Sequence, residues 1–540
     1  MQEKNFLWKA SSWAFALLLV LPILAIIKTA LGDTDDVFSH LLNTVMGSYL
    51  WNTFSVVSLT LTLALLFGLP SAWLMAMCRI PGASILQWAL VLPMAMPSYI
   101  VAYVYTDWFD FAGPVQIWLR DWFGWQSMHD YYFPDIRSIG GASLVLALVL
   151  FPYVYLLARS AFMEQSASLL HSARILKCSP LRSFWRLSLP MARPAIVVAL
   201  SLVAMETIGD FGTMSYFSVP TLTTAVYDTW LGYSSITAAA KLSALMLLVI
   251  FLLLSAERFS RRKLQLFNQN ATSESERYQL QGWKMYAAVI WCWTLFAAAF
   301  LLPLLQLLHY AWLYFEQSWT AEFRQYSFNS LYVSAWTATI ATGIAVLVNF
   351  QRRLVATPTS VIPVRIAAMG YAVPGTVLAI GVMIVLVAAD FSINSLARDM
   401  GWGRPGLLLS GTTFAMISAF VVRFSAVAIG SVESSLSKIP PSLDMAARTM
   451  GCNARRMLVR VHFPLVRRGT LIAALLVFIE SMKELNAALL LRPFNFETLA
   501  TYVFNFASDE QLERAALPAI LLVLVGLIPL ILINRSLEQK

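Results

Sequence analysis

The sequence is short of charge, and it lacks every clustering of residues that would point to covalent or metal chemistry. Only 12% of its 540 residues are charged, against 59% hydrophobic, a balance that no water-soluble core of this size needs and that a multi-span membrane protein requires. It has four cysteines. Cys78, Cys178 and Cys452 fall on the expected cytoplasmic side and Cys292 within a span, which argues against a disulfide framework. The five histidines, His40, His129, His171, His309 and His462, are scattered without ligand spacing, so a metal cluster is not expected. There is no Gly-x-x-x-x-Gly-Lys-Ser/Thr loop to cradle a nucleotide phosphate. The loops also lack a paired nucleophile and base, so an enzyme is not expected.

What the chain has in abundance is apolar runs. A stretch of about 20 apolar residues crosses roughly 30 Å of hydrocarbon as a helix. About twelve such stretches begin near Trp13, Tyr49, Ala83, Ala142, Pro194, Ile236, Met285, Asn329, Val361, Leu407, Gly469 and Ala515. Within a bilayer they must be helical, because only then are their backbone groups satisfied. The net charge of +9 could suggest a nucleic-acid partner, but most Lys and Arg residues fall in alternate connections, such as 159–193, 258–284 and 438–468. That is the positive-inside pattern. The intervening connections carry acids, among them Asp33, Asp35 and Asp36, so an even number of spans and two cytoplasmic termini are expected. The lipid bilayer, and no nucleic acid, is the expected environment. The first stretch, 13–30, follows Lys4 and Lys9, as a signal peptide would. Its length, and the polytopic chain that follows, favour a retained span.

The polar segment 258–283 divides the runs six and six and reads as a cytoplasmic linker between a first repeat, 1–257, and a second, 284–540. The repeats resemble each other. An offset of about 277 places Asn52 on Asn329 and Pro97 on Pro374, and one of about 274 places Ala173 on Ala447, Cys178 on Cys452, Pro190 on Pro464 and Glu206 on Glu480. Six spans per copy make the repeats parallel, with a pseudo-two-fold axis along the membrane normal and a pathway expected between them. The fold class expected is therefore an all-α polytopic membrane protein of about 12 transmembrane helices in two tandem six-helix repeats.

Each repeat has its longest cytoplasmic loop between its fourth and fifth spans. In the second, Ser442 is a candidate N-cap and Gly451 a candidate C′ residue, bracketing a helix of about two turns. So short a helix needs a docking partner, and Ala446 and Ala447 would let a partner's backbone approach closely. The simpler reading of any one arginine here is that it only enforces topology. The recurring combination of small residues, basic residues and a terminal Pro requires more. Ala446, Ala447, Gly451 and Pro464 resemble the permease signature of ABC importers, with Met445 where its first Glu is usual. In the first repeat His171, Ser172 and Ala173 occupy the corresponding places, and Lys177 replaces the Gly. The stretches 205–213 and 221–227, with Glu206 and Asp210, and 482–493, with Lys483, Glu484 and Arg492, look like the fused, double-length permeases of ferric iron importers. Thiamine, phosphonate and polyamine permeases are close relatives.

The resemblance implies a type I importer fold in a bacterial inner membrane. It implies two copies of an ABC ATPase carrying ATP and Mg, no cofactor on this chain, and a periplasmic substrate-binding protein, ferric-binding in the leading case. It also implies that the coupling loops, Ser172, Ala173, Arg174 and Cys178 in one repeat and Ala446, Ala447, Arg448, Gly451 and Cys452 in the other, contact the ATPase. Alternating access would then need no chemistry on this chain. An ion-coupled secondary transporter could also have twelve spans in parallel halves, but it would not need paired docking loops.

Charge inside the spans is a separate signal. Glu206 and Glu480 lie about twelve residues into the fifth span of each repeat, roughly 18 Å from its cytoplasmic end. An ionised group there costs about 2.5–3.5 kcal/mol, so it should face a pathway or a partner. Asp210 and Glu484 follow at i, i+4 spacing and are expected on the same helix face. The four carboxylates read either as a pathway or gate, or as internally satisfied groups, with Lys483 neutralising Glu480. Pro97 and Pro374 read as kinks serving gating or packing.

Overall fold

The computed structural model describes residues 2–32, 36–165, 175, 178–261, 277–354 and 358–538. Among them, ten helices are long and apolar enough to cross a membrane, and a bent pair, Ala83–Ala95 with Ser98–Phe123, is an eleventh candidate. The remaining apolar run, from Ala515, is helical within Leu512–Glu538. The expected runs are all present as helices. The third of each repeat is broken rather than continuous. The helices that carry the argument are α1 (Gln2–Ala30), α2 (Met46–Met77), α3 (Ser98–Phe109), α4 (Ile139–Met163), α5 (Leu189–Gly209), α6 (Ile236–Arg261), α7 (Ala321–Leu354), α8 (Gly375–Asp399), α9 (Thr413–Ser437), α10 (Pro441–Thr449) and α11 (Phe463–Lys483).

Proline explains the broken spans. Pro97 stands immediately before α3 with extended ψ, and the two arms around it meet at 94°. In the second repeat a short apolar helix, Val361–Ala372, ends before Pro374, which occupies the same place ahead of α8. Proline has no N–H to donate and pushes its predecessor out of the helical region, so both spans restart there.

The chain forms two compact units, and neither is one sequence repeat. One comprises Met1–Thr44, Ala225–Met246 and Trp319–Asn505, so it takes the chain's first helix together with most of the second repeat. The other comprises Val45–Thr224, Leu247–Ser318 and Phe506–Lys540. In the first unit α9 is the central element, packed on α7 and α11, while α1 lies along α8. Gly381 permits that last crossing, because a Cβ there would sit 2.6 Å from the carbonyl oxygen of Pro22. In the second unit α4 is central, packed on α2 and α5, and 72% of its apolar window is buried. Gly68 lets α2 approach it: an added Cβ would lie 2.7 Å from Val154 Cβ and 2.8 Å from the Phe151 carbonyl oxygen. Small residues at crossings are how membrane helices gain close packing where the surrounding lipid is as apolar as they are.

Internal contacts repeat as the sequence does. Asn52 Nδ2 donates to the Pro220 carbonyl at 2.9 Å, and Asn329 Nδ2 to the Glu497 carbonyl at 3.0 Å. The Leu222 N–H donates to Thr53 Oγ1 at 3.0 Å, and the Leu499 N–H to Ser330 Oγ at 2.7 Å. The four cysteines are free thiols.

Candidate coupling helix and transmembrane charge sites

The short helix α10 lies in the loop between α9 and α11. Its start differs from the sequence expectation. Ser442 is not the N-cap: Pro440 is, with Pro441 in the first helical position, where a missing N–H costs nothing. The end matches it. Gly451 has φ +75°, its N–H donates to the Arg448 carbonyl at 3.0 Å, and the Cys452 N–H donates to the Ala447 carbonyl at 3.0 Å. These two bonds form a Schellman motif, which needs a left-handed residue at C′.

Two turns of helix do not hold themselves in water, and side chains from elsewhere in the unit hold these. Asp444 is the anchor. Its Oδ2 accepts from Arg353 Nε at 2.7 Å and its Oδ1 from Arg353 Nη2 at 3.3 Å, a forked contact from the end of α7. His462 Nε2 lies 2.7 Å from the same Oδ1, and the imidazole is fully buried. Arg353 also donates to the carbonyls of Leu436, Ile439 and Pro440, tying the end of α9 to the start of α10. The His462 ring meets Phe350 edge-on at 5.3 Å between centroids, and Phe350 meets Trp8 in the same way at 5.2 Å. Burial opposes ionisation of Asp444, but the bonds from Arg353 and His462 outweigh it and hold its carboxyl below the usual carboxylate range.

This anchoring sorts the candidate residues into two faces. Ala447 is only 6% exposed and packs inward. Ala446 and Arg448 are exposed, and Arg448 Nη2 donates to the Leu354 carbonyl at 3.2 Å. Around Ala446, Met445 is 62% and Met450 81% exposed, and Leu443 is exposed as well. Cys452 is half-buried. It is followed by Asn453, whose side chain caps the next turn by accepting from the Arg456 N–H at 2.9 Å. In the first repeat Cys178 is half-buried, and Ser179 caps in the same way, accepting from the Arg182 N–H at 3.4 Å. Ser172, Ala173 and Arg174 lie outside the described residues. Each cap leads into a single π turn, Phe184–Ser188 or Leu458–His462, before the fifth span.

The transmembrane carboxylates are arranged differently from a continuous helical face. α5 ends at Gly209 and α11 at Lys483, so Asp210 and Glu484 are the extended residues at two helix breaks. Each caps the helix that follows: Asp210 Oδ1 accepts from the Thr213 N–H at 2.8 Å, and Glu484 Oε1 from the Ala487 N–H at 3.1 Å. Each also reaches the residue just after the proline break of the third span. Asp210 Oδ2 accepts from Ser98 Oγ at 2.5 Å. Gly375 sits against Glu484, where a Cβ would come within 2.5 Å of Oε1. Glu484 is paired at 3.0 Å with Arg423 of α9, the two side chains being 7% and 13% exposed. Glu206 is half-buried in the last turn of α5. Glu480 lies 3.6 Å from Lys483, its side chain 41% exposed, so the neutralising partner expected from sequence is in place.

Sequence reasoning passed over Arg353, Asp444, His462 and Arg423. Only Arg423 announced itself, as a lone cation inside an apolar run. Arg353 and Asp444 are 91 residues apart, and nothing local marks either as the other's partner. No group of His, Cys, Asp and Glu suited to a metal ion occurs among the described residues.

The chain matches the family described as "Binding-protein-dependent transport system inner membrane component" over residues 64–265 and 358–540. It is 25% identical over 528 residues to the Fe(3+)-transport system permease protein FbpB 2 of Haemophilus influenzae, covering 96% of each chain. It is 31% identical over 162 residues to the molybdenum transport system permease protein ModB of Escherichia coli K12, covering 30% of this chain and 67% of that one. To the sulfate transport system permease protein CysW of the same organism it is 25% identical over 247 residues, covering 44% of this chain and 82% of that one.

Proposed function

The chain belongs to the binding-protein-dependent transport system inner membrane component family and is the multi-pass permease subunit of an ABC importer; on that premise we propose that its cargo is ferric iron. A separate ATPase docks on α10 and on the matching loop of the first repeat, one copy each, with ATP and Mg held there. A periplasmic ferric-binding protein delivers the cargo, and both termini of the permease face the cytoplasm. Closure of the ATPase pair moves the loops and switches the access of the transmembrane pathway, so this chain supplies binding and motion but no bond chemistry.

The observation that carries the docking reading is the outward face of α10. Leu443, Met445 and Met450 expose apolar surface around Ala446, on a helix whose inward face is fixed by Asp444 and Ala447. The cargo reading is supported by the end-to-end similarity to an Fe(3+) permease. The molybdenum and sulfate relatives match over less than half of the chain. It is also supported by charge in the first repeat, where the fifth span and its break carry Glu206 and Asp210, carboxyl groups suited to a cation rather than an oxyanion. Glu206 and Asp210 serve as pathway or gate residues, and Glu480 with Lys483 and Glu484 with Arg423 as paired, gate-holding ones.

Uptake in a deletion strain tests the assignment. Complementation with this chain is expected to restore accumulation of radiolabelled ferric iron, and not of molybdate or thiamine. Restored molybdate uptake with unchanged iron uptake would overturn the cargo and leave the importer reading intact.

A further inference from the structure

At the positions that match the anchor beneath α10, the first repeat carries other residue types. With the offsets that superimpose the repeats, Arg353 falls on Ala76, Asp444 on Leu170 and His462 on Ser188. None of these three can make a charge-assisted fork. Leu170 lies outside the described residues, and only its identity enters here. At Ser188 the first repeat has a neutral contact, with Gln165 Nε2 donating to its carbonyl at 2.9 Å. The duplication has kept the proline breaks, the caps, the π turns and the Asn-to-carbonyl bonds, while these three matched residues differ.

We infer that Arg353, Asp444 and His462 are positioning residues that clamp the second coupling helix rigidly to α7 and α11, making it a stiff transmitter of the ATPase stroke. The physics follows from the contacts. An exposed two-turn helix joined only by its ends would swing with its partner and absorb displacement. Asp444, in the first turn of α10, is fixed by a forked guanidinium on one side and a buried imidazole on the other. The same guanidinium binds the carbonyls that close α9. Displacement of α10 is therefore passed at once to the cytoplasmic ends of three spans, α7, α9 and α11. Misplacing a working group by about 1 Å can cost up to ~100-fold in rate, so a slack clamp is expected to show in turnover rather than in binding. The outward residues Met445, Ala446 and Met450 are not part of the clamp.

This rests on α10 being the docking helix, and the test separates the two. Arg353→Ala, Arg353→Lys and Asp444→Asn are purified in detergent, and amide hydrogen exchange is followed over residues 441–450. They are then assembled with the candidate ATPase, and ATP hydrolysis is measured. In Arg353→Ala and Asp444→Asn, α10 is expected to exchange about tenfold faster or more while α7 is unchanged. The ATPase is expected to co-purify as with the parent, and kcat to fall about tenfold at unaltered KM for ATP. Arg353→Lys, which keeps the charge but not the fork, is expected to recover part of the loss. Parent-like exchange and kcat in Arg353→Ala and Asp444→Asn would overturn the clamp, as would loss of ATPase binding in place of loss of turnover. If the unsubstituted chain binds no ATPase, the docking reading fails, and the exchange measurement still decides the clamp.

Discussion

At the residue scale, two charged contacts deserve opposite treatment because their surroundings differ. Arg423 and Glu484 are nearly buried among spans, where removing one partner strands the other. Arg423→Leu is expected to destabilise the purified chain by about 3–5 kcal/mol, and Arg423→Met with Glu484→Gln to recover most of that, as read by thermal unfolding in detergent. A double variant no more stable than Arg423→Leu would show that the pair is not the source. Asp444 lies outside the spans, in the loop between α9 and α11, and its carboxyl is held below the ordinary value of about 3.9. A depressed folded value means that the stabilisation is complete above the unfolded value and is lost as pH falls through the folded one. Protection of α10 against hydrogen exchange, once corrected for the intrinsic rate, should stay constant from about pH 8 to 5 and decline only below about pH 4. A decline centred between pH 6 and 7 would contradict Asp444 as the controlling group.

Elements show where sequence reading succeeds. Gly451 was legible as a C′ glycine because the left-handed conformation is almost closed to other residues. A Cβ there meets nothing within 4 Å, so Gly451→Ala carries only the backbone penalty of about 1–2 kcal/mol, measurable as faster exchange in α10 alone. Gly68 is the contrasting case, since a Cβ would collide with Val154 and a backbone oxygen of α4. Gly68→Val is expected to cost about 1–3 kcal/mol through overpacking and to lower the thermal midpoint of the whole chain. Ser442 misled because a serine before an apolar turn is a good cap in isolation, whereas two prolines just ahead of it had already fixed the helix start. The i, i+4 face proposed for Glu206 and Asp210 assumed an unbroken helix. Gly209 ends α5, and Asp210 turns to cap the next helix.

On the scale of the molecule, hydropathy and the alternation of basic loops suffice to find the spans, because a bilayer imposes them one segment at a time. Duplication was legible from Asn52, Pro97, Ala447 and their partners, and the equal Asn-to-carbonyl contacts bear it out. Interleaving was not legible. The compact unit built on the second repeat also contains Met1–Thr44 and Ala225–Met246, and one apolar span looks like another until its neighbours are known. Fragments 1–261 and 277–540, expressed separately, each lack part of a unit and are expected to be degraded. Expressed together they are expected to accumulate and restore transport, with immunoblot level as the measure.

Whether α10 presents its outward face to a separate ATPase is tested most directly by a pull-down of that ATPase with the purified permease. The unsubstituted chain and Ala447→Gly, a change on the buried side, should retain the ATPase, whereas Ala446→Trp, on the exposed side, should lose it without loss of folded permease. Full retention by Ala446→Trp would contradict the account.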